Sequence, residues 1–121
     1  MHRSVKVAPS YSLIFVADPN GGEPPEPVEG AIIQSTPSCI SVGCYPEIDG
    51  ETEITLGPVS EVDPGAPPSF TGYLETPNRA VAVSTVEGKT ILEVPVANTK
   101  TGVRIWLSHP QWPEKVIVGL E

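Results

Sequence analysis

Asn78-Arg-Ala-Val-Ala-Val-Ser-Thr-Val-Glu-Gly-Lys-Thr-Ile-Leu-Glu-Val-Pro-Val96 is the stretch that decides the fold class. Two β-branched runs flank Glu87-Gly88, a short-loop hairpin signal. A two-residue loop sets Val86 opposite Lys89, and counting outward then sets Val83 opposite Leu92 and Val81 opposite Val94. Both pairs fall on one face, because side chains alternate with period two along a strand. The other face carries Ala82 against Glu93 and Ala80 against Pro95. One side is apolar and the other small or charged, the pattern of a strand pair lying on a core.

Outward from the hairpin the same grammar repeats. Arg3 to Ala8, Tyr11 to Ala17, Val28 to Thr36, Ser38 to Tyr45, Glu51 to Gly57, Phe70 to Glu75, Val103 to Leu107 and Val116 to Leu120 all read as short strands. The run Tyr11 to Ala17 is apolar on both faces, as a central strand requires. Fifteen prolines and eleven glycines are spread along 121 residues, and they leave no room for a substantial helix. The segments Asp18 to Pro27 and Pro58 to Ser69 read as Pro/Gly-rich acidic loops, and Ala97 to Gly102 as a turn. The expectation is a single-domain antiparallel β-sandwich of nine or ten short strands. Ser38–Tyr45 and Glu51–Gly57 are expected to form a second hairpin around Ile48-Asp49-Gly50. A three-residue loop there matches Cys44 with Ile54 and Val42 with Leu56.

Cys39 and Cys44 lie five apart in one strand, so they point to opposite faces and are too distant to pair. Both are expected to be structural thiols, with Cys44 buried in phase with Ile40 and Val42. The start, M-H-R-S-V-K-V-A-P, holds no apolar run of a signal peptide, and no stretch reaches the length of a membrane helix, so the default compartment is the cytoplasm.

The net charge of −8 gains meaning when it is mapped. From Val7 to Asn78 there is no Lys, Arg or His, and that window holds eleven acids: Asp18, Glu23, Glu26, Glu29, Glu47, Asp49, Glu51, Glu53, Glu61, Asp63 and Glu75. A solvated acidic surface that keeps the protein soluble is one reading. The other is a negative face that docks on a basic partner, such as the cationic groove of an enzyme that handles nucleic acid. Direct nucleic-acid binding is disfavoured by the sign of the charge. The residues expected to meet a partner are Glu47, Asp49, Glu51, Glu53, Glu61 and Asp63, joined by Trp106 and Trp112. Trp106 alternates out of phase with Val103, Ile105 and Leu107, and Trp112 lies in a proline-bounded loop. The structural alternative is that each tryptophan covers an end or the second face of the sandwich.

No catalytic, cofactor or metal motif is present. His109 follows Ser108, but adjacency is not a dyad. Asp18-x-Asn20-Gly21 and Asp49-Gly50-Glu51-x-Glu53 offer oxygen atoms without the spacing of a calcium loop. No enzyme activity, cofactor or metal is therefore expected, and no membrane partner.

The order of S-Y-S-L-I-F-V-A-D, then S-C-I-S-V-G-C-Y followed by an acidic hairpin, then R-A-V-A-V-S-T-V-E-G-K-T-I-L-E-V-P-V and a closing aromatic-rich strand pair, resembles the bacterial competence nuclease-inhibitor family and related small immunity-type proteins. That resemblance implies a small cytosolic β-sandwich that binds a nuclease or another toxin and blocks it. It assigns no individual residue. Two other readings are a structural or homodimeric accessory module using Trp106 and Trp112, and a small hydrolase or ligand-binding barrel with a pocket near His109.

Overall fold

The computed structural model describes residues 2–121. Ten strands form two five-stranded sheets packed face to face, as expected of an all-β sandwich. The strands are β1 (Arg3–Val7), β2 (Leu13–Ala17), β3 (Ile33–Thr36), β4 (Cys39–Gly43), β5 (Thr52–Pro58), β6 (Phe70–Glu75), β7 (Ala80–Thr85), β8 (Thr90–Pro95), β9 (Lys100–Leu107) and β10 (Lys115–Leu120). A single helical turn, α1 (Val59–Val62), follows β5. The first sheet has the order β1-β5-β10-β9-β6 and the second β3-β4-β2-β7-β8. All pairings are antiparallel except β5 with β10, which is parallel.

Alternation builds the core. Leu56, Val118, Ile105 and Phe70 stand in one transverse row of the first sheet. Ile40, Val16, Val83 and Leu92 do so in the second. All but Phe70 are buried, and Phe70 packs against the same cluster half-buried. Each fully buried aliphatic side chain contributes about 1.5–3 kcal/mol of hydrophobic stabilisation relative to exposure. β2 occupies the centre of its sheet, as its two-sided apolar sequence requires.

The hairpin β7–β8 keeps the expected pairs Ala80↔Pro95, Val81↔Val94, Ala82↔Glu93 and Val83↔Leu92. Its loop is not the two-residue one. Thr85 N–H donates to Lys89 O at 3.0 Å and Gly88 N–H to Thr85 O at 2.9 Å, which makes Val86-Glu87-Gly88 a three-residue loop. Gly88 takes φ +84°, the left-handed value that such a loop demands and that glycine adopts at no steric cost. Ile91 absorbs the extra residue: the register shifts between Val83↔Leu92 and Ser84↔Thr90.

The second expected hairpin does not form. β4 lies in the second sheet between β3 and β2, and β5 in the first between β1 and β10, so Cys44–Ile54 and Val42–Leu56 are not pairs. Both strands carry one apolar face, and facing a core from opposite sheets satisfies that pattern as fully as pairing does. Three boundaries also move. β9 begins at Lys100, inside the expected 97–102 turn, because Lys100 to Gly102 pair with β6. Val28 to Ala31 is a turn, with Ala31 N–H donating to Val28 O at 3.1 Å and Gly30 at φ +84°, so β3 begins only at Ile33. Tyr11 and Ser12 leave the strand for a 3-10 turn, Ser10–Ser12.

Cys39 and Cys44 are free and buried. Burial pushes their thiols up, to about 11 and about 12. Among the described residues no helix is long and apolar enough to cross a membrane.

Candidate interaction site

Four connections meet at one end of the sandwich: the 3-10 turn before β2, the β4–β5 crossover, the β7–β8 loop and the β9–β10 loop. Hydrogen bonds lace them into one surface. Ser10 Oγ donates to Glu87 Oε2, joining the turn to the β7–β8 loop. Tyr11 N–H donates to Glu47 Oε1 at 3.1 Å, and Glu47 N–H donates to Ser12 Oγ at 3.0 Å. Cys44 N–H donates to Ser12 O at 2.8 Å. Tyr45 N–H donates to Thr52 Oγ1 at 3.0 Å, and Glu53 N–H to Glu114 O at 2.8 Å, which ties the crossover to the β9–β10 loop.

This end displays large apolar side chains. Ile48 is 91% exposed, Tyr11 82% and Trp112 54%, with Val86 on the β7–β8 loop at 36%. Around them stand the carboxylates of Glu47, Asp49, Glu51, Glu87 and Glu114, all exposed. The hydroxyl of Ser10 leads the hydrogen bonds that hold the Glu87 carboxyl below the usual carboxylate range.

Both displayed rings sit on turns whose backbone is held by a neighbouring side chain. The Tyr11 N–H is taken by Glu47. The Trp112 N–H donates to His109 Nδ1 at 3.0 Å, and Gln111 N–H donates to the same atom at 3.1 Å. The imidazole also stacks on the indole, with centroids 5.4 Å apart and planes 19° apart. Tyr11 and Ser12 have φ of 60° and 53°, left-handed values that cost a non-glycine residue about 1–2 kcal/mol each. The lacing holds the chain there.

The expected partner-binding residues do not form one patch. Glu47, Asp49, Glu51 and Trp112 share the end just described. Glu53 stands in register between Lys6 of β1 and Lys115 of β10 on the outer face of the first sheet, so cations flank its charge. Glu75 likewise pairs in register with Lys100. Glu61 lies beyond the far end of β5 on α1, where its Oε1 is 3.1 Å from His2 Nδ1. Asp63 follows it in the segment that crosses the outer face of the first sheet, its Oδ1 accepting from Gly65 N–H at 2.7 Å.

Trp106 does turn away from the core, yet it is only 5% exposed. The 63–69 segment covers it, and its Nε1–H donates to Ala66 O at 2.8 Å. Gly119 leaves room for that packing: a Cβ there would lie 2.9 Å from Trp106 Cζ3 and 2.9 Å from Val59 Cγ2. Trp106 thus covers the second face and is no exposed anchor. Sequence reading missed Tyr11 by counting it as the first residue of a strand. The signal available was Pro9-Ser10 directly before it, a turn dipeptide.

The Asp18 carboxylate accepts from Asn20 N–H, Asn78 N–H and Asn78 Nδ2, so N–H donors occupy its oxygens. Among the described residues no group of three or more His, Cys, Asp or Glu is arranged to hold a metal. A cavity of about 310 Å³ between the sheets is lined by Pro58, Val94, Val96, Thr101, Leu120 and Glu121, at the end opposite His109.

The chain thus folds as a small two-sheet β-sandwich, one end of which displays aromatic rings among carboxylates. No family model and no curated protein sequence matches the chain. In structure it is similar to ComJ from Bacillus subtilis, the inhibitor of the DNA degrading activity of NucA. The TM-score is 0.70 at 12% sequence identity, over 98% of this chain and 93% of that one. The resemblance to the competence nuclease inhibitors therefore holds at the level of the fold.

Proposed function

We propose that this protein is a non-catalytic inhibitor that blocks a nuclease or another cytotoxic enzyme in the cytoplasm, docking through the Tyr11–Glu47–Trp112 end. The observation that carries this reading is the coincidence, at one end, of exposed Tyr11, Ile48 and Trp112 with five carboxylates. Aromatic side chains make the strongest anchors at protein interfaces. Carboxylates around them steer a basic partner into place and can occupy the contacts that phosphates would make. The shared fold with an inhibitor of DNA degradation supports a nuclease as that partner.

The test is inhibition of DNA degradation by NucA and by a panel of unrelated nucleases. Stoichiometric protein should inhibit at least one, and the affinity should fall about tenfold or more between low and high salt. Replacing Glu51 with lysine should slow association. Absence of inhibition across the panel, or inhibition unchanged by salt, would overturn the reading.

A further inference from the structure

Resting on that reading, we propose that Tyr11 is the central anchor of the interface and that Glu47 is a positioning residue for it rather than a docking charge. The partner it fits is a basic protein whose groove contains an apolar slot deep enough to take an aromatic ring.

Position is the first ground. The turn carrying Tyr11 lies between the β7–β8 loop, through Ser10 and Glu87, and the β4–β5 crossover, through Glu47. Tyr11 therefore stands between Val86 and Ile48, with Trp112 beyond the crossover. Energetically dominant residues cluster near the middle of an interface, surrounded by contacts that exclude water. Tyr11 has that setting, and its side chain is 82% exposed in the free protein.

Preorganisation is the second. A tyrosine in left-handed backbone is an unfavourable choice for a turn, and glycine or asparagine would serve the chain better. Glu47 Oε1 holds the Tyr11 amide, and Ser12 Oγ holds the Glu47 amide in return. This reciprocal pair holds the backbone from which the ring projects. An anchor fixed before binding loses little freedom on binding. The same contact turns one Glu47 oxygen toward its own chain, whereas among the described residues no such contact engages the carboxylate of Asp49 or Glu51.

These roles separate in binding kinetics. The probe is NucA, or whichever panel nuclease the wild-type protein inhibits, with association and dissociation rates measured at two salt concentrations. Tyr11→Ala should raise the dissociation rate about thirtyfold while leaving the association rate and its salt dependence in place. Glu51→Gln should instead slow association and flatten the salt dependence. Glu47→Ala should speed dissociation, and Glu47→Gln, which keeps an oxygen acceptor but removes the charge, should restore most of that loss. A merely electrostatic Glu47 would make Gln and Ala equally harmful. Thermal melting of each variant, expected within a few degrees of wild type, separates these effects from unfolding. Dissociation of Tyr11→Ala at the wild-type rate, or failure of Glu47→Gln to differ from Glu47→Ala, overturns the proposal and leaves the inhibitor reading standing. If the wild type inhibits no nuclease, both fall.

Discussion

At the Asp18 end of the sandwich, polar side chains turn inward, while at the Tyr11 end apolar side chains turn outward. Asp18 is 2% exposed and accepts three N–H donors, two of them from Asn78 sixty residues away. Beside it Thr76 is fully buried, donates to Asn98 O at 2.7 Å and shares a 2.9 Å hydrogen bond with Thr101 Oγ1. The buried polar side chains there, Asp18, Thr76 and Thr101, all have partners inside the chain. The Tyr11 end uses the same devices of short turns, carboxylates and side chain to backbone bonds. Their effect there is to hold Tyr11 and Trp112 in water. One end uses its hydrogen bonds to close the fold, and the other uses them to present a surface. That contrast is the ground for proposing the second end as the docking surface, since exposed rings lower solubility and a left-handed Tyr11 lowers stability.

The two tryptophans offer the sharpest break of this contrast. Trp106→Ala should destabilise by about 3–5 kcal/mol, because it empties the packing beneath the 63–69 segment. Trp112→Ala should change stability by no more than about 0.5 kcal/mol. Chemical denaturation of the two variants gives both numbers, and equal losses would erase the distinction between cover and display.

Next in size is Asp18→Ala, expected to cost about 1–3 kcal/mol by leaving the part-buried N–H donors of Asn20 and Asn78 without their acceptor. Its pH dependence follows from the same contacts. Burial alone would push the Asp18 carboxyl up, but the Asn78 side chain and the Asn20 and Asn78 amides outweigh it and hold it below its ordinary 3.8. The unfolded chain then binds the proton more readily than the folded one. The stabilisation is complete above about pH 4 and is lost as pH falls through the lower folded-state value. Thermal melts in acid should show a smaller decline for Asp18→Asn than for wild type.

A smaller effect of opposite sign is expected at the displayed end. Tyr11→Gly should stabilise by up to about 1 kcal/mol, because glycine takes φ of 60° without the Cβ clash, while inhibition is lost. Smallest is Ile48→Ala, within about 0.5 kcal/mol of wild type in stability, since the side chain is already in water. A large stability loss from Ile48→Ala would mean that the displayed end is packed after all.

Much of the architecture was legible. Alternation in Ala80–Thr85 and Thr90–Pro95 gave the pairing of β7 with β8, and the two-sided apolar run around Ile14 and Val16 placed β2 in the centre of a sheet. The turn chemistry was read less well. Glu87-Gly88 was compatible with loops of two or three residues, and the bulge at Ile91 cancels the difference within the strands. Of the end proposed for docking, charge mapping picks out Glu47, Asp49 and Glu51, and aromatic counting picks out Trp112. Neither reveals that Glu53 lies between Lys6 and Lys115, because those three residues meet only across strands.

By itself the sequence determined an all-β sandwich of nine or ten strands, the apolar face of the β7–β8 hairpin and a long window without cations. Those properties follow from period-two alternation and local turn preferences, which act between near neighbours. Only the tertiary structure decided that β4 and β5 part into different sheets, that Trp106 is covered while Trp112 is not, and that Tyr11 stands among the carboxylates of Glu47 and Glu87. Each of these rests on contacts between residues far apart in the chain. An apolar face is satisfied equally by a neighbouring strand or an opposing sheet, so local pattern cannot choose between them.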